Sequence, residues 1–260
     1  MSHLASYSSI IKPLTIAAVL TGACVTCYYI ESYIAHRNEK ALNALLDNWM
    51  NDPKAEGNKE EAKHRILEAF LTRNTSLDLK DLALTELPID ALTYLTELTS
   101  LDLFHNQLRS IDGLSKLTRL RYLHVSDNKL RSVDNLSNLT QLESLSLSNN
   151  EIDSVDFSKL TQLRRLYLSR NQLRSLDLSN LTQLNILMLS SNRLCSVDLS
   201  KLTQLEFLHL QRNQLSSVDL SKLTRLRGLY LLPNPLRSVD LSHKPETTDL
   251  QSFFDFLGKN

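Results

Sequence analysis

The stretch Leu98–Leu108 reads LTSLDLFHNQL, and six later segments copy it: LRYLHVSDNKL at 120–130, LESLSLSNNEI at 142–152, LRRLYLSRNQL at 163–173, LNILMLSSNRL at 184–194, LEFLHLQRNQL at 205–215 and LRGLYLLPNPL at 226–236. Their asparagines, Asn106, Asn128, Asn150, Asn171, Asn192, Asn213 and Asn234, are spaced by 22, 22, 21, 21, 21 and 21 residues. A stretch beginning at Ser76, SLDLKDLALTELP, keeps the leucines but has Leu82 where asparagine is due, as befits a terminal repeat. Leucines at this period cannot be covered within one turn of chain, so neighbouring turns must stack and share a core. The central residues of each segment predict a strand, and successive turns would lay these strands in a parallel sheet about 4.8 Å apart. An asparagine that turns inward must be hydrogen-bonded, and its carboxamide can bridge backbone groups of adjacent turns. Repeats of 21 or 22 residues leave room on the outer side only for short 3₁₀-like turns.

The predicted fold is an α/β solenoid: a curved, right-handed superhelix with a parallel sheet on its concave face and a helical cap at each end. Residues 36–75 form the N-terminal cap. Ala41, Leu42, Leu45, Leu46 and Trp49 recur at helical spacing, Asn51-Asp52-Pro53 breaks the helix, and Glu60 to Leu71 forms a second one with Ala62, Ile66, Leu67 and Phe70 on one face. The open end of the repeat array is the apolar surface these helices can cover. The repeats occupy residues 76–243. After them, Leu250, Phe253, Phe254 and Leu257 make the stripe of a C-terminal capping helix within residues 244–260.

Residues 1–35 are an anchor or signal segment. Leu14 to Ile30 carries no charge over 17 residues, about 26 Å as a helix. Extended back to Ile10, it reaches the roughly 30 Å of a hydrocarbon core. Residues 10–30 therefore read as a single-pass N-terminal membrane anchor. The alternative is a cleaved signal, with Thr21-Gly22-Ala23 as the cleavage site and a secreted or lipid-anchored product. Cys24 and Cys27 form a CxxC inside this run, where they read as ordinary membrane-helix cysteines.

Lys+Arg and Asp+Glu balance at 29 each, which argues against a nucleic-acid partner. With five glycines the chain contains no phosphate-cradling loop, and no cofactor is expected. Asp112, Asp134, Asp156, Asp177, Asp198, Asp219 and Asp240 form a second column, one per turn. They read as caps of the outer turns. A calcium column is the alternative, although calcium-binding solenoids use several acids and glycines per turn. No metal site is expected. Arg109, Arg131, Arg174 and Arg237 are placed to offset the acidic row. The histidines His105, His124 and His209 lie on separate strands with no nucleophile–base–orienter set at fixed spacing, so no catalytic residue is assigned.

Two columns of strand residues point outward from the sheet. One runs Ser100, Tyr122, Ser144, Arg165, Ile186, Phe207, Gly228; the other runs Asp102, His124, Ser146, Tyr167, Met188, His209, Tyr230. Aromatic and arginine side chains on such a face resemble interface hot spots. The candidate partner-binding residues are Tyr122, Arg165, Tyr167, Arg170, Ile186, Met188, Phe207, His209, Arg212 and Tyr230.

The repeats from Ser76 to Ser242 match the LxxLxLxxNxL pattern and resemble bacterial short leucine-rich repeats of the internalin-like group. SIDGLSKLTRLRYLHVSDNKL is also similar to the leucine-rich regulator of protein phosphatase 1. The region from Trp49 through EEAKHRILEAF to TSLDLKDLALTELP resembles the lead-in of leucine-rich effectors of intracellular bacteria. Some of those effectors carry a large C-terminal ubiquitin-ligase domain, for which residues 244–260 leave no room. The resemblance implies a non-catalytic recognition module, membrane-tethered or exported, that binds a protein on its concave face. Its alternative is an intracellular regulatory or scaffold subunit of a phosphatase or another enzyme.

Overall fold

The computed structural model describes residues 25–240. Helix α1 (Val25–Met50) buries Leu42, Leu46 and Trp49, and helix α2 (Lys59–Thr72) buries Ala62, Ile66 and Ala69. Each end of α2 shows why it stops there. Asn58 accepts the Glu61 N–H at 3.2 Å, and Glu60 and Glu61 complement the positive end of the helix dipole. At the far end Arg73 adopts a left-handed conformation, φ 51°. The Lys59 ammonium donates to the carbonyls of Trp49 (3.3 Å), Met50 (2.7 Å) and Asp52 (3.1 Å), so α2 closes the C-terminus of α1 with a cation.

These helices are joined to the first coil through backbone as well as apolar contact. The Asn58 N–H donates to Leu82 O (2.7 Å), the Thr85 N–H to Glu56 O (3.1 Å), and the Arg65 guanidinium to Asp78 O (3.1 Å). Gly57 makes this approach possible. Its φ is +112°, and a Cβ there would stand 2.7 Å from the backbone of Ala83 and from Leu82 O. One hydrophobic cluster then runs from Leu42 in α1 to Leu236 in the last repeat.

Eight parallel strands of three residues form one sheet in chain order: β1 (Ser76–Asp78), β2 (Ser100–Asp102), β3 (Tyr122–His124), β4 (Ser144–Ser146), β5 (Arg165–Tyr167), β6 (Ile186–Met188), β7 (Phe207–His209) and β9 (Gly228–Tyr230). Apart from this sheet, β8 (Ser217–Asp219) pairs with β10 (Ser238–Asp240), a second small sheet that periodicity did not predict.

The asparagines turn inward. Asn106, Asn128, Asn150, Asn171, Asn192 and Asn213 are buried, and Asn234 is half-buried. Each accepts one N–H from the preceding coil and donates to one carbonyl there and one in its own coil. For Asn106 these partners are Leu84 N (2.9 Å), Leu79 O (2.9 Å) and Leu103 O (3.0 Å). The first coil has only helices before it, and Leu82 there is buried as an apolar residue.

Coil length sets the outer side. Leu82 to Asn106 spans 24 residues and holds a four-residue α-helix, α3 (Ile89–Leu92). The two 22-residue coils hold 3₁₀ segments, Leu114–Lys116 and Asp134–Asn138. In the 21-residue coils no helical segment forms and the outer side keeps two successive i→i+3 bonds, as from the Leu181 N–H to Leu178 O at 3.0 Å and from the Leu184 N–H to Leu181 O at 3.1 Å. Fewer residues must cover a similar path, so the rise per residue increases from about 1.5 Å in α-helix towards about 3.3 Å in extended chain. The expectation of 3₁₀-like turns throughout is thereby refined to a graded series.

The aspartate column divides with the same lengths. Asp156, Asp177, Asp198 and Asp219 each accept the N–H of the serine two residues on, at 2.8–2.9 Å. Asp112 instead accepts from Asn135 Nδ2 (2.5 Å) and Asp134 from Ser132 Oγ (2.8 Å), because glycine or asparagine followed by leucine replaces the Leu/Phe-Ser of the shorter coils. Among the described residues the arginine column makes no ion pair with these acids. Arg131 pairs with Glu151 at 3.0 Å, one coil further on. The expected C-terminal helix at 244–260 lies outside the described residues. So does most of the apolar run at 10–30. The described residues open inside that run, at Val25, already in helix α1, which continues unbroken past residue 35. Among the described residues no helix is long and apolar enough to cross a membrane.

Candidate partner-binding face

Alternation along each strand decides which side chains are available. The central leucines, Leu101, Leu123, Leu145, Leu166, Leu187, Leu208 and Leu229, are buried, so the residues flanking them face away from the core. The strands pair without slip. One column therefore places Arg165, Ile186 and Phe207 side by side, and the other places Tyr167, Met188, His209 and Tyr230 side by side. Eight of the ten candidate residues come from these columns. Tyr122 and Phe207 are the most open of the large apolar ones, at 40% and 37% exposure.

The other two, Arg170 and Arg212, are exposed at the end of the sheet where the chain turns inward to asparagine. Their φ angles are 57° and 56°, and His105, Asp127, Asn149 and Ser191 occupy the same left-handed position in their coils. A left-handed residue in each coil lets the chain bend from the strand while the next residue's side chain enters the core.

Within the C-terminal half the aromatic groups support each other. His209 and Tyr230 have ring centroids 4.2 Å apart. The Phe207 ring lies over Gly228, where a Cβ would stand 2.5 Å from Phe207 Cδ1. Tyr122 is set apart from this group by β4, whose outward residues are Ser144 and Ser146. The result is a depression of about 350 Å³ between Tyr122, His124 and Tyr167, floored by serines and bounded by Asp102. Four of its residues, Asp102, His124, Ser144 and Ser146, were not among the sequence-based candidates. The available signal was a pair of serines between aromatic neighbours in adjacent coils.

Asp102, His124 and Ser146 stand in one register on β2, β3 and β4. Asp102 Oδ1 lies 3.3 Å from His124 Nδ1 and accepts the Phe104 N–H at 2.9 Å, while the Phe104 ring stacks on the imidazole at 5.0 Å. The Ser146 hydroxyl, however, is bonded to Ser126 Oγ at 2.7 Å. Among the described residues no hydrogen bond links it to His124, so the trio does not form a proton relay. Nor does any group of three acids, histidines or cysteines among them suit a metal ion.

Comparison with known proteins identifies the repeats. Family models described as leucine-rich repeats match residues 96–138, 118–160 and 162–184. The functional domain of InlJ from Listeria monocytogenes is similar at 31% identity and TM-score 0.55, over 67% of this chain and 43% of that one. An internalin, InlF, of the same organism gives 33% and 0.52, over 57% and 45%. Internalin C2 gives 26% and 0.57, over 67% and 77%. The chain thus spans less than half the length of the first two. No curated protein matches the sequence.

Proposed function

Because the chain is a leucine-rich-repeat protein of the bacterial internalin-like kind, we propose that it is a non-catalytic recognition module that binds a protein partner across its exposed sheet face. The single observation behind this reading is the change of outward side chains along one unbroken sheet. The columns pass from serine and aspartate to Arg165, Tyr167, Ile186, Met188, Phe207, His209 and Tyr230, flanked by Arg170 and Arg212. Repeat solenoids use such extended faces for binding, and half-exposed aromatic and arginine groups are the residue types that dominate interface energetics. Tyr122 contributes at the other end of the face.

The proposed setting is a membrane surface or the cell exterior, with residues 10–30 as anchor or export signal. The test of binding is affinity capture with the full chain against a Tyr167→Ala, Phe207→Ala, Tyr230→Ala triple variant. A discrete partner held by the wild type and lost by the folded variant supports the reading; equal capture by both rejects it. Membrane fractionation tests the tether, since full-length protein found only in the soluble fraction rules out an uncleaved anchor.

A further inference from the structure

We propose that the depression over β4 is a specific subsite for a cationic, planar side chain, an arginine presented by the protein partner. This rests on the reading of the sheet face as a protein-binding surface and names what one part of it takes.

Tyr122 on β3 and Tyr167 on β5 flank a strand that offers only Ser144 and Ser146. Two strand spacings are about 9.6 Å. The two rings lie on the diagonal of the depression, because Tyr122 is in register with Ser144 and Tyr167 with Ser146, and phenol faces attract cations. The end of the depression is anionic. Asp102 has one oxygen engaged by the Phe104 N–H and His124, as described above, and its other oxygen has no hydrogen bond among the described residues. The nearby cation, Lys80, is taken by Asp78 at 3.0 Å, and that carboxylate raises its pKa above the ordinary lysine range. Arg165, on β5 beside Ser144, is the positive group on the opposite flank and directs an incoming cation towards Asp102. Glu143 accepts from Tyr122 Oη at 3.4 Å and pairs with Arg121 at 3.0 Å, which holds the Tyr122 wall in place.

The wider face has the same polarity. Asp78, Asp81, Asp102 and Asp127 belong to its first three coils, and Arg165, Arg170 and Arg212 to its later ones, in a chain of zero net charge. A guanidinium suits both features of the depression, since its plane stacks on an aromatic face and it carries paired donors for a carboxylate.

The test is titration of the full-length protein with N-acetyl-arginine N-methylamide, its citrulline counterpart and methyl glucoside, read by side-chain NMR of Tyr122, His124 and Tyr167. The arginine probe should saturate these signals and bind about tenfold more tightly than the citrulline probe. Asp102→Asn, which keeps an acceptor for the Phe104 N–H, should remove about that factor. Equal binding of arginine and citrulline probes, or preferential binding of the glucoside, overturns the assignment. Silence towards all three also overturns it but leaves protein recognition standing, because capture by the triple variant tests that independently.

Discussion

Asn150 and Leu130 belong to different coils, yet the Asn150 Oδ1 accepts the Leu130 N–H at 3.0 Å, while Nδ2 donates to Val125 O and Leu147 O at the same distance. Replacing Asn150 with leucine leaves a buried amide and two carbonyls without these partners. Asn150→Leu should cost about 2–4 kcal/mol, since unsatisfied buried polar groups each cost about 1–3 kcal/mol and the leucine recovers part of this by packing. Asn234→Leu, in a half-buried coil, should cost clearly less. Urea unfolding of the two variants measures the difference, and equal losses would contradict the bridging role.

The junction between helices and repeats depends on Gly57. Gly57→Ala places a methyl group against the backbone of Ala83 in a conformation that L residues rarely adopt. The expected loss is about 2–3 kcal/mol, accompanied by greater exposure of Leu77 and Leu79. Hydrogen exchange should show the loss of protection concentrated in the first coils; a uniform change along the chain would argue against a local cap.

Acid should loosen the outer side of the later coils. The backbone N–H groups of Ser158, Ser179 and Ser200, and then their hydroxyls, hold Asp156, Asp177 and Asp198 below the ordinary carboxylate range. A carboxyl whose pKa is lower folded than unfolded stabilises the fold fully above its unfolded value, about 3.9 for aspartate. That contribution falls as pH drops through the folded value. The denaturant midpoint should therefore be flat near neutrality and decline below about pH 4. Asp177→Asn, which can keep the serine N–H bond, should make the decline shallower; an unchanged profile would remove Asp177 from the explanation.

Left-handed backbone offers a stabilising change. Ser191 has φ 58°, whereas the matching residue two coils earlier is Asn149, with φ 55°. Asparagine tolerates this region better than serine, and β-branched residues tolerate it least. Ser191→Asn should raise stability by about 0.5 kcal/mol and Ser191→Val should lower it by about 1–2 kcal/mol. Thermal unfolding checks the order, and a neutral valine variant would count against it.

The core was legible because it repeats. Leu101, Leu123 and Leu145 recur with Asn106, Asn128 and Asn150 at fixed offsets, so periodicity alone assigned strands, inward leucines and the bridging carboxamides. The graded outer side was less legible, since the change from 22 to 21 residues had to be converted into rise per residue. Pairings between coils were hidden further. Arg131 meets Glu151 in the next coil, and not an aspartate on its own loop, because that glutamate lies in reach across the stack. The outward columns were readable by alternation, but the depression beside Tyr122 is made by what Ser144 and Ser146 lack. Asp102 and His124 acquire their relationship only when β2 and β3 lie side by side.

All seven carboxamides reach towards the N-terminus, each to the coil before it. The array is therefore directional in a way its near-uniform spelling conceals. Coils removed from the far side leave the remaining asparagines fully served, whereas removing one beside α1 and α2 orphans the next. Gain and loss of repeats in evolution, or trimming by an engineer, is thus tolerated at the C-terminal side, with the paired helices as the fixed foundation from which the length is counted.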